Sequence, residues 1–64
     1  MREQEIFDII KENLEDNGIE VSDSQVEDYV QQFLNEVEEQ EIDDDENIER
    51  QLQYFVTSLY GEED

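Results

Sequence analysis

Asp43, Asp44, Asp45, Glu46 and Asn47 place five oxygen-bearing side chains in succession. Their D-x-D-x-N pattern is the one with which a helix–loop–helix calcium site begins. That chemistry also needs Gly at the sixth loop position, for the sharp turn, and a bidentate Glu at the twelfth. Counting from Asp43, those positions hold Ile48 and Tyr54. A second register, with Gly18 in sixth place, starts at Asn13 and ends on Ser24. Both registers lack the closing carboxylate, so no dedicated metal site and no cofactor is expected. Weak, nonspecific attraction of divalent cations to the acidic run is all that this spacing supports.

Catalytic chemistry has few candidates. The 64 residues contain no His and no Cys, which leaves carboxylates, Tyr, Ser and Lys11 as groups that could move a proton or attack an electrophile. With only Gly18 and Gly61 in the chain, no Gly-rich phosphate loop can be built. Carboxylate pairs recur everywhere, so no single pair stands out as an acid–base couple. The chain is expected not to be an enzyme.

The acidic run reads better as an array than as a site. Nine carboxylates fall in the fourteen residues from Glu36 to Glu49: Glu36, Glu38, Glu39, Glu41, Asp43, Asp44, Asp45, Glu46 and Glu49. On a helix, side chains at i, i+3 and i+4 stand about 5–6 Å apart, close to the spacing of phosphates along one nucleic-acid strand; duplex DNA carries one charge per about 1.7 Å of axis. Glu5, Asp8, Glu12 and Glu15, and separately Glu20, Asp23, Glu27 and Asp28, extend the negative field. Across the chain, 22 Asp and Glu against three Lys and Arg give a formal charge of -19. Such self-repulsion destabilises a compact state. Mixed-sign pairs would have served solubility without that cost. Salt adaptation is the other general reason for an acidic surface. The bland alternative for the run is a solvated loop between helices with polar outer faces.

Charge also excludes partners. Direct nucleic-acid binding needs a basic footprint, and anionic lipid would repel this chain. Apolar runs of two or three residues are too short to span a membrane. The start of the sequence, Met1-Arg2-Glu3-Gln4, has no apolar leader and passes into a helical pattern, so a cytoplasmic location is expected. Absence of Cys is compatible with that compartment and means that no disulfide staples a domain this small.

Three helices must position these groups. In the first, about Glu3 to Asp16, Ile6, Phe7, Ile10 and Leu14 form an apolar stripe that Ile9 widens. It should end in a Schellman turn with Gly18 left-handed and Leu14 touching Ile19. Ser22 opens the second helix, 23–40, with Gln25 completing a capping box and Val21 and Val26 a hydrophobic staple. Val26, Tyr29, Val30, Phe33, Leu34 and Val37 follow the helical period. The third helix, 47–60, carries Ile48, Leu52, Phe55, Val56 and Leu59; Asp43, Asp44, Asp45 or Asn47 could cap it, and Gly61 stops it. There is no Pro and no hairpin signal, and the chain contains no Ala, so these helices depend on packing more than on propensity.

The expected fold is therefore all-α, a small three-helix bundle over residues 1–61, followed by a short, mobile acidic tail, 62–64. Its core should comprise Ile6, Phe7, Ile10, Leu14, Val26, Val30, Phe33, Leu34, Val37, Ile48, Leu52, Phe55, Val56 and Leu59. Ile9, Ile19, Val21, Tyr29, Ile42, Tyr54 and Tyr60 are left over as rim residues or as an apolar contact surface.

Two functions fit these observations. One is a nucleic-acid mimic or decoy that occupies and inhibits a basic, nucleic-acid-binding protein through the nine carboxylates of residues 36–49, with Tyr54 as an aromatic anchor. In size and charge, though in no shared motif, the chain resembles phage-encoded inhibitors of host nucleases, of restriction or CRISPR effectors and of transcription regulators. The other is a helical interaction module (adaptor, antitoxin-like or regulatory subunit) that dimerises or docks through its leftover apolar residues. Salt-sensitive binding to a basic protein would favour the first, and salt-insensitive self-association the second.

Overall fold

Turn and cap signals at the helix boundaries organise the chain in a computed structural model that describes residues 2–61. α1 spans Glu3–Asp16, α2 Asp23–Glu39 and α3 Asp45–Tyr60. Each helix packs on the other two, and the described residues hold no strand, so the fold is a small three-helix bundle. The radius of gyration is 11.3 Å, against about 10.7 Å for a compact chain of this length. The acidic tail expected at 62–64 lies outside the described residues.

α1 begins without a capping hydroxyl or Asp. Glu5 reaches back instead, its carboxylate accepting from the Arg2 backbone N–H at 3.3 Å. The helix ends as its sequence predicts. Ile19 N–H donates to Leu14 C=O at 2.9 Å and Gly18 N–H to Glu15 C=O at 3.0 Å, the two bonds of a Schellman motif. Gly18 takes a φ of 78° that a Cβ would oppose.

At the start of α2 the capping box is only half made. Ser22 Oγ accepts from the Gln25 N–H at 3.3 Å, but the Gln25 side-chain amide points along the helix, 3.5 Å from the Tyr29 hydroxyl. α2 stops at Glu39 with Gln40 as its C-cap, one residue earlier than the sequence suggests. α3 starts at Asp45 rather than 47, because Asp44 is the residue that caps it, accepting from the Glu46 N–H at 3.3 Å. All four candidate caps were oxygen-bearing, and the turn geometry before them decided among them. At the other end of α3, Gly61 has a φ of −102° and donates to Thr57 C=O. A Cβ there would sit 2.7 Å from that carbonyl oxygen, so the glycine serves close approach rather than a left-handed turn.

Eight side chains are fully buried: Ile6, Ile10, Leu14, Val26, Val30, Phe33, Leu52 and Val56. All eight belong to the stripes read from the sequence. Six others expected in the core, Phe7, Leu34, Val37, Ile48, Phe55 and Leu59, are half-buried and pack against it. A bundle of three short helices has an axis but little interior, so only the centre of each stripe loses all contact with water. Phe55 bridges α3 to α2, 5.6 Å from the Phe33 ring and 6.5 Å edge-on to Tyr29. No buried side-chain polar atom among the described residues lacks a partner. No helix is long and apolar enough to cross a membrane, among the same residues.

Candidate partner-binding surface

α1 and α2 run antiparallel, and two side-chain pairs fix their register. Lys11 Nζ donates to Asp23 Oδ1 at 3.0 Å, and Gln31 Nε2 donates to Glu3 Oε2 at 3.0 Å. Stepping eight residues back along α1 thus matches eight residues forward along α2. Beyond Gln31, α2 continues for eight more residues to Glu39, about 12 Å at 1.5 Å per residue. Its acidic last turns therefore extend past the level where α1 begins.

A second Schellman motif then reverses the chain. Ile42 N–H donates to Val37 C=O and Glu41 N–H to Glu38 C=O, both at 3.1 Å. The residue in the left-handed position here is Glu41, with a φ of 56°. Val37 and Ile42 occupy the C3 and C″ places, where the motif's hydrophobic contact forms. The turn delivers Asp44 directly into the cap of α3. Residues 36–49 are therefore two helix ends held by one hydrogen-bonded reversal, not a slack loop.

All nine predicted carboxylates, Glu36, Glu38, Glu39, Glu41, Asp43, Asp44, Asp45, Glu46 and Glu49, are exposed. Glu36 and Glu39 share a face of α2, and Asp45, Glu46 and Glu49 a face of α3, by their i, i+3 and i+4 spacing. A shallow depression on α3 is lined by Glu46, Glu49, Arg50 and Gln53. Among the described residues no three acidic side chains converge closely enough to share a metal ion.

Tyr54 is the large hydrophobic side chain left most open, 64% exposed. The fold does not draw it into the acidic cluster. It stands eight residues along α3 from Glu46, about 12 Å by helical rise, and one turn beyond Arg50, with which it shares a face. Of the other residues left over from the stripes, Ile9, Ile19, Val21, Tyr29 and Tyr60 pack against the core, and Ile42 is half-buried at the second turn.

The sequence reading missed one further surface. Glu3, Gln4 and Phe7 from α1, with Glu27, Val30 and Gln31 from α2, line a groove of about 480 Å³. Its only advance signal is Phe7 at the edge of the α1 stripe, which looked like core. The charge pattern elsewhere is unrelieved. No helix has a basic residue in its last turn. Lys11 has its pKa raised, first by the hydrogen bond it donates to Asp23 and then by that carboxylate's charge. No family model, curated protein or solved structure matches this chain.

Proposed function

We propose that this protein is a small acidic nucleic-acid mimic, or decoy, that binds and inhibits a basic nucleic-acid-binding protein. A phage-type inhibitor of a host nuclease, defence effector or regulator is the kind of protein meant. The observation that carries the reading is the exposure of all nine carboxylates of residues 36–49 on two helix ends joined by a hydrogen-bonded turn. A decoy needs its charges held at fixed spacing, because ordering them on contact would cost free energy at each immobilised side chain. Such an array steers association with a basic groove and favours fast encounter at low salt.

The alternative, a module that docks through apolar residues, has less to work with. Five of its seven candidate residues pack against the core, and among the described residues Tyr54 alone of the large hydrophobics is widely exposed. A homodimer would also bring two chains of formal charge -19 together, which repulsion opposes.

Neutralising Asp43, Asp44, Asp45 and Glu46 to Asn, Asn, Asn and Gln tests the reading. Asn caps a helix about as well as Asp, so Asp44→Asn keeps the start of α3 and the variant should stay helical by circular dichroism. Proteins captured from a bacterial lysate at low salt supply the partner, and surface plasmon resonance then measures its kinetics. The variant should associate more slowly and show a flatter salt dependence, the terms that steering charges control. A folded variant with unchanged association rate and unchanged salt slope would remove the cluster from the contact.

A further inference from the structure

The register of α1 and α2 makes a three-rung ladder. Lys11 faces Asp23 at one end and Glu3 faces Gln31 at the other, each pair joined at 3.0 Å. Phe7 and Glu27 occupy the rung between, each four residues from both neighbours along its helix. The outer rungs match a donor to a carboxylate. The middle one sets an aromatic ring opposite a carboxylate and supplies no cation. Phe7 and Glu27 both line the groove described above, with Val30 as floor and Glu3 and Gln31 at one end.

We propose that this middle rung is the anchor point for an arginine side chain of the basic partner. The inference rests on the decoy reading and names the contact that charge steering alone does not provide. A guanidinium is planar, weakly hydrated and able both to stack on a ring and to pair with a carboxylate in the same pose. Over Phe7 it gains a cation–π contact, and its edge meets the Glu27 carboxylate. Glu3 offers a second acceptor: its bond to Gln31 uses one of about four lone-pair sites on the carboxylate. The arginine stem would lie against the side of Phe7, which is apolar and only half-buried. The groove of about 480 Å³ is open to solvent, so a neighbouring partner residue can enter beside the arginine. Lysine fits less well, because its ammonium is compact, strongly hydrated and cannot stack.

Capped hexa-arginine and hexa-lysine peptides, titrated into the ¹⁵N-labelled full chain at 0.02 M and 0.1 M salt, distinguish the possibilities. Hexa-arginine should move the Phe7 ring protons and the amides around Phe7, Glu27 and Gln31 at both salt concentrations. Glu27→Gln, an exposed change, should weaken hexa-arginine binding about tenfold, the loss of one charge-assisted contact of about 1.4 kcal/mol. Phe7→Leu, which keeps apolar bulk and removes the ring, should weaken it about threefold and leave hexa-lysine unaffected. Shifts confined to residues 36–49, or identical affinities and shifts for the two peptides, would overturn the anchor while leaving the decoy reading in place. Failure of both peptides to bind even at 0.02 M salt would overturn the two together.

Discussion

Glu41 and Gly18 occupy equivalent places in two copies of one turn, at φ values of 56° and 78°. An L-residue pays for the left-handed region through the approach of its Cβ to the carbonyl oxygen, about 1–2 kcal/mol. Glycine avoids that but loses more entropy on folding, so Glu41→Gly should gain about 1 kcal/mol net. In a domain of this size that corresponds to a thermal midpoint about 4–8 °C higher, readable by circular dichroism. Gly18→Ala makes the reciprocal measurement. A Cβ added there meets nothing within 4 Å, so its destabilisation reports conformation alone and should have the opposite sign. If Glu41→Gly lowered the midpoint, the strain assigned to this turn would be absent.

At the scale of elements, α2 is the structural centre. It contributes Val26, Val30 and Phe33 to the buried set, and Phe33 meets α3 through Phe55. Phe33→Ala should cost about 3–5 kcal/mol, close to the whole stability that a core this small supplies. Tyr60→Ala, at a half-buried residue on the last turn of α3, should cost clearly less; equal losses in urea unfolding would contradict the packing described here. The Lys11–Asp23 pair contributes on the surface between α1 and α2. Because the folded state raises the Lys11 pKa, its contribution is present below the lysine's unfolded value, about 10.4, and is lost as pH rises through the folded one. The thermal midpoints of wild type and Lys11→Gln should therefore differ at pH 8 and converge once the pH has passed the lysine's raised folded value. A gap that stayed constant would show that the pair acts through packing of the lysine stem.

Across the whole molecule, like charge dominates. Among the described residues, nineteen carboxylates share a bundle of 31 × 26 × 17 Å with three basic residues. The screening length falls from about 30 Å at 0.01 M to about 10 Å at 0.1 M salt, the first comparable to the molecule and the second well within it. The thermal midpoint should accordingly rise as salt is added over that range. A flat or falling midpoint would mean that the charges sit favourably and that self-repulsion is not what stability has conceded. The same field that weakens the bundle is what a basic partner would relieve on binding, so partner and salt should stabilise through one mechanism and less than additively.

Helix positions, apolar stripes and the first turn are legible in the sequence because each depends on neighbours within about one turn of chain. The period of Val26, Val30 and Phe33, the hydroxyl of Ser22 and the glycine at 18 are local signals with local causes. The exposure of the acidic run was legible too, since nothing short of paired burial could hide nine carboxylates. The second turn was not: its left-handed place is held by Glu41 rather than glycine, so the usual residue signature is missing. Tertiary packing also divided the fourteen expected core residues into eight buried and six half-buried, since depth depends on where three axes meet. The groove at Phe7 and Glu27 follows from the register between α1 and α2. That register shows in contacts twelve and twenty-eight residues apart in the chain, a separation at which the pattern of one helix carries no record of the other.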